Sequence, residues 1–535
     1  VRAWVWLACS AVVLGVGPGV DCRVHGECAE AEAPVKQGFI DELIRAKWEA
    51  EKIRPSGAAS DPEFVRRAYL DVLGRIPNLS ETIAFLENKE ANKRAKLVEV
   101  LLGHPDYAKH FADQWANLLI GRRPTGNRVD AAALKSWLRK RFGENLPWNE
   151  TAYELITARG SNKENGAANY VLAHMQDGAV NLTSLTTRVF LGQQIQCTQC
   201  HDHKSNDWKQ DDFWGINAFF KGLRSREVTR STVTGNEEYD YTEVYDEPTD
   251  SWATFDRSNA TVGIAYPKYL DGRKVSKGTD VDRRKALGDF IAGGDNKQLA
   301  LAFVNRLWGH FMGRGFVQPV DDFGDHNPPS HPELLERLAE EFMASGWDVK
   351  ALVRWIMNSE AYQLASTVNS SNEKDDVLYS HKYLRPMTPE QLFDSLIVAT
   401  AAHRSGGDGG READARRREW LNQFVVAFQN DEENEGVFQG TIPQALMMMN
   451  GELMARATDA DSGGILSQII EQSQRQRRPA EYLVNRLYLA ALSRPPTAAE
   501  LRRAGGFFTS FPDTKGVVED LFWSLLNSGE FILNH

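Results

Sequence analysis

The chain has 535 residues, 42% of them hydrophobic and 25% charged, a balance that suits a globular protein with a large core. A formal net charge of −11 excludes nucleic acid as the main partner, because phosphate binding needs a concentrated Lys/Arg surface.

The first residues are Val1-Arg2, followed by an apolar run over 3–20 that Gly15, Gly17 and Pro18 interrupt. A positive charge before a short apolar run is a secretory signal pattern, and Ala29-Glu30-Ala31 supplies a small-x-small cleavage site. The expectation is a signal peptide over 1–31, a periplasmic or cell-surface location, and no transmembrane span in the mature chain. Trp6-Leu7-Ala8-Cys9 is a poor lipobox, so a lipid anchor is the lesser alternative.

From 38 to 223 the apolar spacing predicts a helical domain. One helix starts near Asp61-Pro62, a cap residue followed by proline, and others lie near 94–102, 106–120, 131–142, 149–158 and 181–195. Over 224–280 the texture turns to alternating β-branched and aromatic residues, as in Tyr239-Asp240-Tyr241-Thr242-Glu243-Val244-Tyr245, which predicts a small β-rich insertion. Helical spacing resumes over 281–535, with segments near 284–293, 298–313, 331–345, 348–358, 388–402, 443–456, 478–492, 497–508 and 516–528. Ser330-His331-Pro332-Glu333 reads as a capping box, and the Gly/Asp/Arg-rich stretch 404–417 reads as a mobile loop. The fold expected is mainly α: a multi-helical two-domain protein with a β insertion.

An internal repeat is visible. Arg67-Ala68-Tyr69-Leu70-Asp71-Val72-Leu73-Gly74-Arg75-Ile76-Pro77 is similar to Arg486-Leu487-Tyr488-Leu489-Ala490-Ala491-Leu492-Ser493-Arg494-Pro495-Pro496. Leu-rich segments follow both, at Leu101-Leu102 and Leu525-Leu526, and Ile356-Met357-Asn358-Ser359 echoes them. A recurring helix pair is the physical reading, since each pair needs a neighbour to cover its apolar face.

The chemistry centres on Cys197-Thr198-Gln199-Cys200-His201. Cleavage after Ala31 removes Cys9, Cys22 and Cys28, which leaves two mature thiols three positions apart and followed at once by an imidazole. Two thiols at this spacing can add to both haem vinyl groups, and the adjacent His201 then falls on the iron as axial ligand. Two alternatives stay open: a Cys197–Cys200 disulfide, and zinc or another metal held by Cys197, Cys200, His201 and His203. Asp202 and Asp207 are candidates to orient a ring N–H of His201 or His203. Trp208, Phe213, Trp214, Phe219 and Phe220 are spaced to wall an apolar cavity or to fill an ordinary helix core. Candidate distal ligands are His174, Met175, Met387 and Met447 to Met449. A second cluster, Asp321-Asp322-Phe323-Gly324-Asp325-His326, has the carboxylates and imidazole for binding a hard cation or for acid–base work, although turn formation also favours these residues. The chain carries no Gly-rich phosphate loop, no His-Glu-x-x-His and no Gly-x-Ser-x-Gly.

Several segments together resemble the planctomycete surface cytochrome-type proteins, which pair two domains of unknown function, fifteen-forty-nine and fifteen-fifty-three. The first domain is matched by Arg66-Arg67-Ala68-Tyr69-Leu70-Asp71-Val72-Leu73-Gly74-Arg75-Ile76-Pro77, Thr187-Arg188-Val189-Phe190-Leu191-Gly192, the run Cys197–His203, and Trp208-Lys209-Gln210-Asp211-Asp212-Phe213-Trp214-Gly215. The second is matched by Val304-Asn305-Arg306-Leu307-Trp308-Gly309, Pro319-Val320-Asp321-Asp322-Phe323-Gly324, Pro329-Ser330-His331-Pro332-Glu333, Ser345-Gly346-Trp347-Asp348 and Thr441-Ile442-Pro443-Gln444. Relatives often read His-Pro-Phe where this chain has His203-Lys204-Ser205, and many carry an additional N-terminal cytochrome c domain that is not expected here. The resemblance implies an exported envelope protein and suggests haem.

The leading expectation is therefore a c-type haem protein for electron transfer or a haem-dependent redox step, with an unidentified redox partner or envelope protein. The alternative is a surface binding or scaffold protein, with polysaccharide as a candidate partner for its 14 tryptophans and the Cys/His segment as a staple. A third reading is a non-haem hydrolase built on Asp321, Asp322 and His326.

Overall fold

A computed structural model describes residues 38–122, 124, 128–234, 236–257, 260–293, 296–402, 410–427, 448, 451–511 and 513–535. The expected signal peptide, Cys9, Cys22, Cys28, Met447, Met449 and the 441–446 motif lie outside the described residues. The first helical stretch comprises α1 Gly38–Ala50, α2 Asp61–Leu73, α3 Leu79–Glu87, α4 Lys93–Leu102, α5 Pro105–Ile120, α6 Ala131–Gly143, α7 Trp148–Thr157, α8 Ala168–His174, α9 Gln176–Leu191 and α10 Gln210–Asn217. A short strand, β1 Gly160–Ser161, interrupts it. Then come β2 Leu223–Ser231, β3 Glu237–Asp246, β4 Ala253–Asp256 and β5 Val262–Ala265. The second helical stretch has α11 Arg283–Ala292, α12 Lys297–Met312, α13 Pro332–Ala344, α14 Val349–Asn358, α15 Pro389–Thr400, α16 Gly410–Ala427, α17 Glu452–Thr458, α18 Ile465–Ser473, α19 Pro479–Leu492, α20 Ala498–Ser510, α21 Thr514–Leu526 and α22 Gly529–Ile532. Strand β6 Arg385–Pro386 pairs antiparallel with β7 Leu533–Asn534. The chain is thus mainly α, as its periodicity predicts.

Four local expectations need correction. The cap of α2 is Ser60, whose side chain accepts from the Glu63 N–H at 3.4 Å, so Asp61 already lies inside the helix. No capping box forms at α13: Ser330 Oγ meets the neighbouring His331 ring instead, at 3.0 Å. Helix α9 stops at Leu191, short of residue 195, because Gly192 takes the left-handed conformation and turns the chain back on the Arg188 and Thr187 carbonyls. Residues 410–417 are helical rather than loop. Downstream in α16, Trp420 and Phe424 are buried in a core built from α15 to α22, and that packing outweighs the loop-like composition before it.

The β region forms two small sheets. Strands β2 and β3 make a long antiparallel hairpin with a bulge at Val228/Thr229, and β1 from the helical region adds to the β3 edge. Strands β4 and β5 form a separate hairpin whose inner face, Ala253, Phe255 and Ala265, packs on Ala218 and Trp214.

The repeat is present in three dimensions. Gly74 and Ser493 both take left-handed backbone conformations after α2 and α19. Arg75 then forms a two-pronged pair with Glu81 at 2.9 and 3.1 Å, and Arg494 does the same with Glu500 at 2.8 and 2.9 Å. Each guanidinium also lies 5.4 Å from a tyrosine ring, Tyr69 or Tyr488, and each glutamate closes a capping box, with Asn78 or Thr497. The two copies share one core, in which Leu70 and Ile76 join Leu483, Val484 and Leu487.

A buried polar hub ties this core to the rest of the chain. Asp71 is fully buried and accepts from Tyr362 Oη at 2.9 Å, from Asn534 Nδ2 at 2.7 Å and from Arg385, with Lys382 at 3.9 Å. Burial alone pushes its carboxyl pKa up, but the Arg385 and Lys382 charges outweigh that and hold it below the usual range.

Candidate functional site

After Gly192 the chain runs through Gln193–Ile195 into a 3-10 turn, Gln196–Gln199, that carries Cys197. Thr198, fully buried, bonds back to the Ile195 carbonyl at 2.6 Å and anchors this turn to the core. Cys197 and Cys200 are both exposed and unpaired, and His201 follows in the open. The His201 Nδ1 lies 2.7 Å from the Asp202 carbonyl oxygen. A backbone carbonyl there fixes the ring and makes Nδ1 the protonated nitrogen, which leaves Nε2 as the lone-pair donor facing away.

Side chains on α10 hold the turn from below. Trp214 Nε1 donates to the Gln199 carbonyl at 3.1 Å, and Gln210 Nε2 spans the Gln199 and Asp256 carbonyls at 3.4 and 3.2 Å. Trp214 is itself stacked on Phe255, centroids 5.4 Å apart at 7°. The β4–β5 hairpin therefore braces the cysteine turn, a role its sequence did not announce. Phe213, Phe219 and Phe220 are core residues, whereas Trp208 and Trp214 are half-buried beside the loop. The Asp202 carboxylate faces the start of α10, accepting from Gln210 N–H at 3.3 Å with Lys209 Nζ at 3.4 Å, so its contribution to His201 runs through its carbonyl. Asp207 is exposed, and its N–H is bonded to the Asn206 side chain.

The second polar cluster sits against this loop. Phe323 N–H donates to the Gly192 carbonyl at 2.9 Å, and the Phe323 ring covers Gly192 so closely that an added Cβ would stand 2.6 Å from it. Asp321, nearly buried, accepts from Arg188 Nε and Nη2 at 3.1 and 3.0 Å and from Gln194 Nε2 at 2.7 Å. A tight turn, with Asn327 N–H on the Gly324 carbonyl, folds His326 back over Asp322. His326 Nε2 lies 3.2 Å from each Asp322 carboxylate oxygen, and the His326 ring centre is 6.1 Å from that of His203. The two clusters singled out in the sequence thus form one junction, and Arg188, Gln194, Asn206 and Gln210 are the positioning residues that spacing did not reveal.

The distal candidates fall elsewhere. The His174 ring nitrogen Nε2 meets the Leu119 carbonyl at 2.7 Å, and burial holds its pKa down. Met387 and Met448 are buried in the core shared by α15 to α22. Met175 sits between α8 and α9. As placed, no group of three or more His, Cys, Asp or Glu side chains among the described residues is arranged to hold a metal ion. No helix among the described residues is long and apolar enough to cross a membrane.

Residues 39–225 match the family described as protein of unknown function (DUF1549), named PSCyt2, and residues 283–435 match protein of unknown function (DUF1553), named PSD1. No curated protein matches the chain. No solved structure matches it either. The first match ends beyond the cysteine turn and α10, the second begins at α11 and contains the Asp321–His326 loop, and the chain belongs to the proteins that pair these two domains.

Proposed function

We infer that the protein is an exported c-type haem protein of the cell envelope, acting in electron transfer or a haem-dependent redox step. The observation that carries this reading is the state of His201: Nδ1 is tied to a carbonyl and Nε2 faces outward, beside two free, exposed thiols on one braced turn. That donor set fits the group. Cys197 and Cys200 would hold haem by thioether bonds, and His201 Nε2 would ligate the iron. When bound, the haem supplies a one-electron redox centre. The chain's own part is positional: Thr198, Gln210 and Trp214 fix the turn, and the Asp202 carbonyl sets the tautomer and orientation of the His201 ring.

The test is expression with c-type maturation machinery, followed by intact mass and a pyridine haemochrome spectrum. Covalent attachment adds about 616 Da and gives a c-type haemochrome band, and Cys197→Ser with Cys200→Ser abolishes both. Folded, processed protein without added mass refutes the proposal.

A second reading, a surface protein that binds polysaccharide, is favoured by one feature. Trp252 is 45% exposed, with its ring centre 5.8 Å from that of Tyr266, and such aromatic faces stack on sugars.

A further inference from the structure

The β4–β5 hairpin has two faces of opposite character. Ala253, Phe255 and Ala265 point inward and are buried, while Thr254, Asp256, Val262 and Ile264 alternate with them and are exposed. Ala253 pairs with Ala265, so Trp252 and Tyr266 flank the last rung and continue the outward row. Exposure reaches 45% for Trp252, 53% for Ile264 and 66% for Val262. Among the described residues no third strand joins this hairpin.

The outward row is held from behind, and its chemistry is mixed. The Arg283 side chain, itself buried, donates to the Ser251 carbonyl at 2.5 Å and to Asp250 at 3.3 Å, which fixes the residue before Trp252. Asp250 also accepts from Gly278 N–H at 3.0 Å, and the segment held in this way sets Lys277 Nζ 4.3 Å from the Tyr266 ring centre. From Trp252 to Asp256 the strand rises roughly 13 Å, so an aromatic pair, a hydroxyl and a carboxylate follow in one line. Sugar rings present apolar C–H faces that stack on Trp and Tyr, and hydroxyl rims that bond to hydroxyl, carboxylate and ammonium groups. Lys277 and Asp256 carry opposite charges, so no single-sign field recruits a polyanion or an anionic lipid surface. Thr254 and Asp256 interrupt the apolar area that a tight protein interface needs at its centre.

The same hairpin holds the cysteine turn. Phe255 stacks on Trp214, whose Nε1 donates to the Gln199 carbonyl, and the Asp256 carbonyl accepts from Gln210 Nε2, which also reaches Gln199. A ligand spanning Trp252 to Asp256 therefore immobilises the backbone on which that brace rests. We propose that the outer face of the hairpin binds an extended, uncharged polysaccharide strand through Trp252, Tyr266, Thr254 and Asp256, and so fixes the Cys197–Cys200 turn directly behind the bound glycan. This rests on the polysaccharide reading above, to which it adds the face, the glycan class and the link to the thiols.

The experiment is native affinity electrophoresis of the full-length processed, haem-free protein in gels containing soluble mixed-linkage β-glucan or alginate, a polyuronate. Expected are retardation by the glucan and not by alginate, and at least a fivefold rise in the dissociation constant in Trp252→Ala and in Asp256→Ala, with circular dichroism unchanged. Should Trp252→Ala not fold, Thr254→Arg, a bulky change at an exposed position on the same face, takes its place. Saturating glucan should also slow the reaction of Cys197 and Cys200 with Ellman's reagent at least twofold. Retardation that persists in these variants overturns the assigned face and leaves the polysaccharide reading intact, whereas retardation by neither polymer overturns both. Retardation by alginate alone overturns the glycan class, and thiol reactivity unchanged at saturation overturns the link to the cysteine turn.

Discussion

Asp321 offers the sharpest test of whether the two regions act as one site. Its side chain is 7% exposed and gathers two hydrogen bonds from Arg188 and one from Gln194, while Arg306 stands 3.8 Å away. Removing one partner of a buried charge pair costs about 3–5 kcal/mol. Arg188 is 40% exposed and recovers part of its hydration, so Asp321→Ala should cost about 3 kcal/mol, toward the lower end. Asp321→Asn keeps an acceptor for Gln194 and should cost about 1–2 kcal/mol. The loss should be local, because Arg188 and Gln194 flank the Gly192 turn on which Phe323 sits. Hydrogen exchange read by mass spectrometry should therefore accelerate together in peptides covering 186–210 and 318–328, and Cys197 and Cys200 of the haem-free protein should react faster with Ellman's reagent. If Asp321→Ala shifts unfolding by less than about 0.5 kcal/mol and leaves both readouts unchanged, the cysteine turn and the Asp321–His326 loop are independent and the junction argument fails.

Two further outcomes follow from the geometry. Gly192→Ala places a methyl group against the Phe323 ring at a residue with φ of 64°, and should lower stability by about 1–3 kcal/mol while loosening the same two peptides. In the second repeat copy, the Arg494 hydrogen bond, acting first, lowers the Glu500 pKa from 4.5 to about 2. A folded-state pKa below the unfolded one means that this stabilisation is fully present above about pH 4.5 and is lost as pH falls toward 2. Glu500 is 30% exposed, so screening reduces its worth to about 1–2 kcal/mol. Urea midpoints across that range should flatten in Arg494→Leu, and an unchanged acid limb would contradict the assignment.

What was legible in the sequence is what short spacings decide. Apolar residues three and four apart on α5, α12 and α19 can bury only one way, so these helices appeared where expected. The Cys197, Cys200 and His201 set is local by covalent spacing, and any turn that presents one presents the others. The repeat was readable because each copy is one contiguous run, 67–77 and 486–496, with Arg75 and Arg494 at matching places, whereas their pairing with Glu81 and Glu500 came from the structure.

Tertiary packing decided the rest. His203 and His326 are separated by 123 positions, and nothing in either loop's composition encodes their approach; it follows from Phe323 seating on Gly192 and Asp321 on Arg188. The fully buried Asp71 looked like one polar residue among many until Arg385, Tyr362 and Asn534 closed round it. The physical reason is the same in both cases. Backbone spacing fixes which residues share a helix face or a turn, whereas long-range partners are selected by the shape and charge of surfaces that exist only once the core has formed.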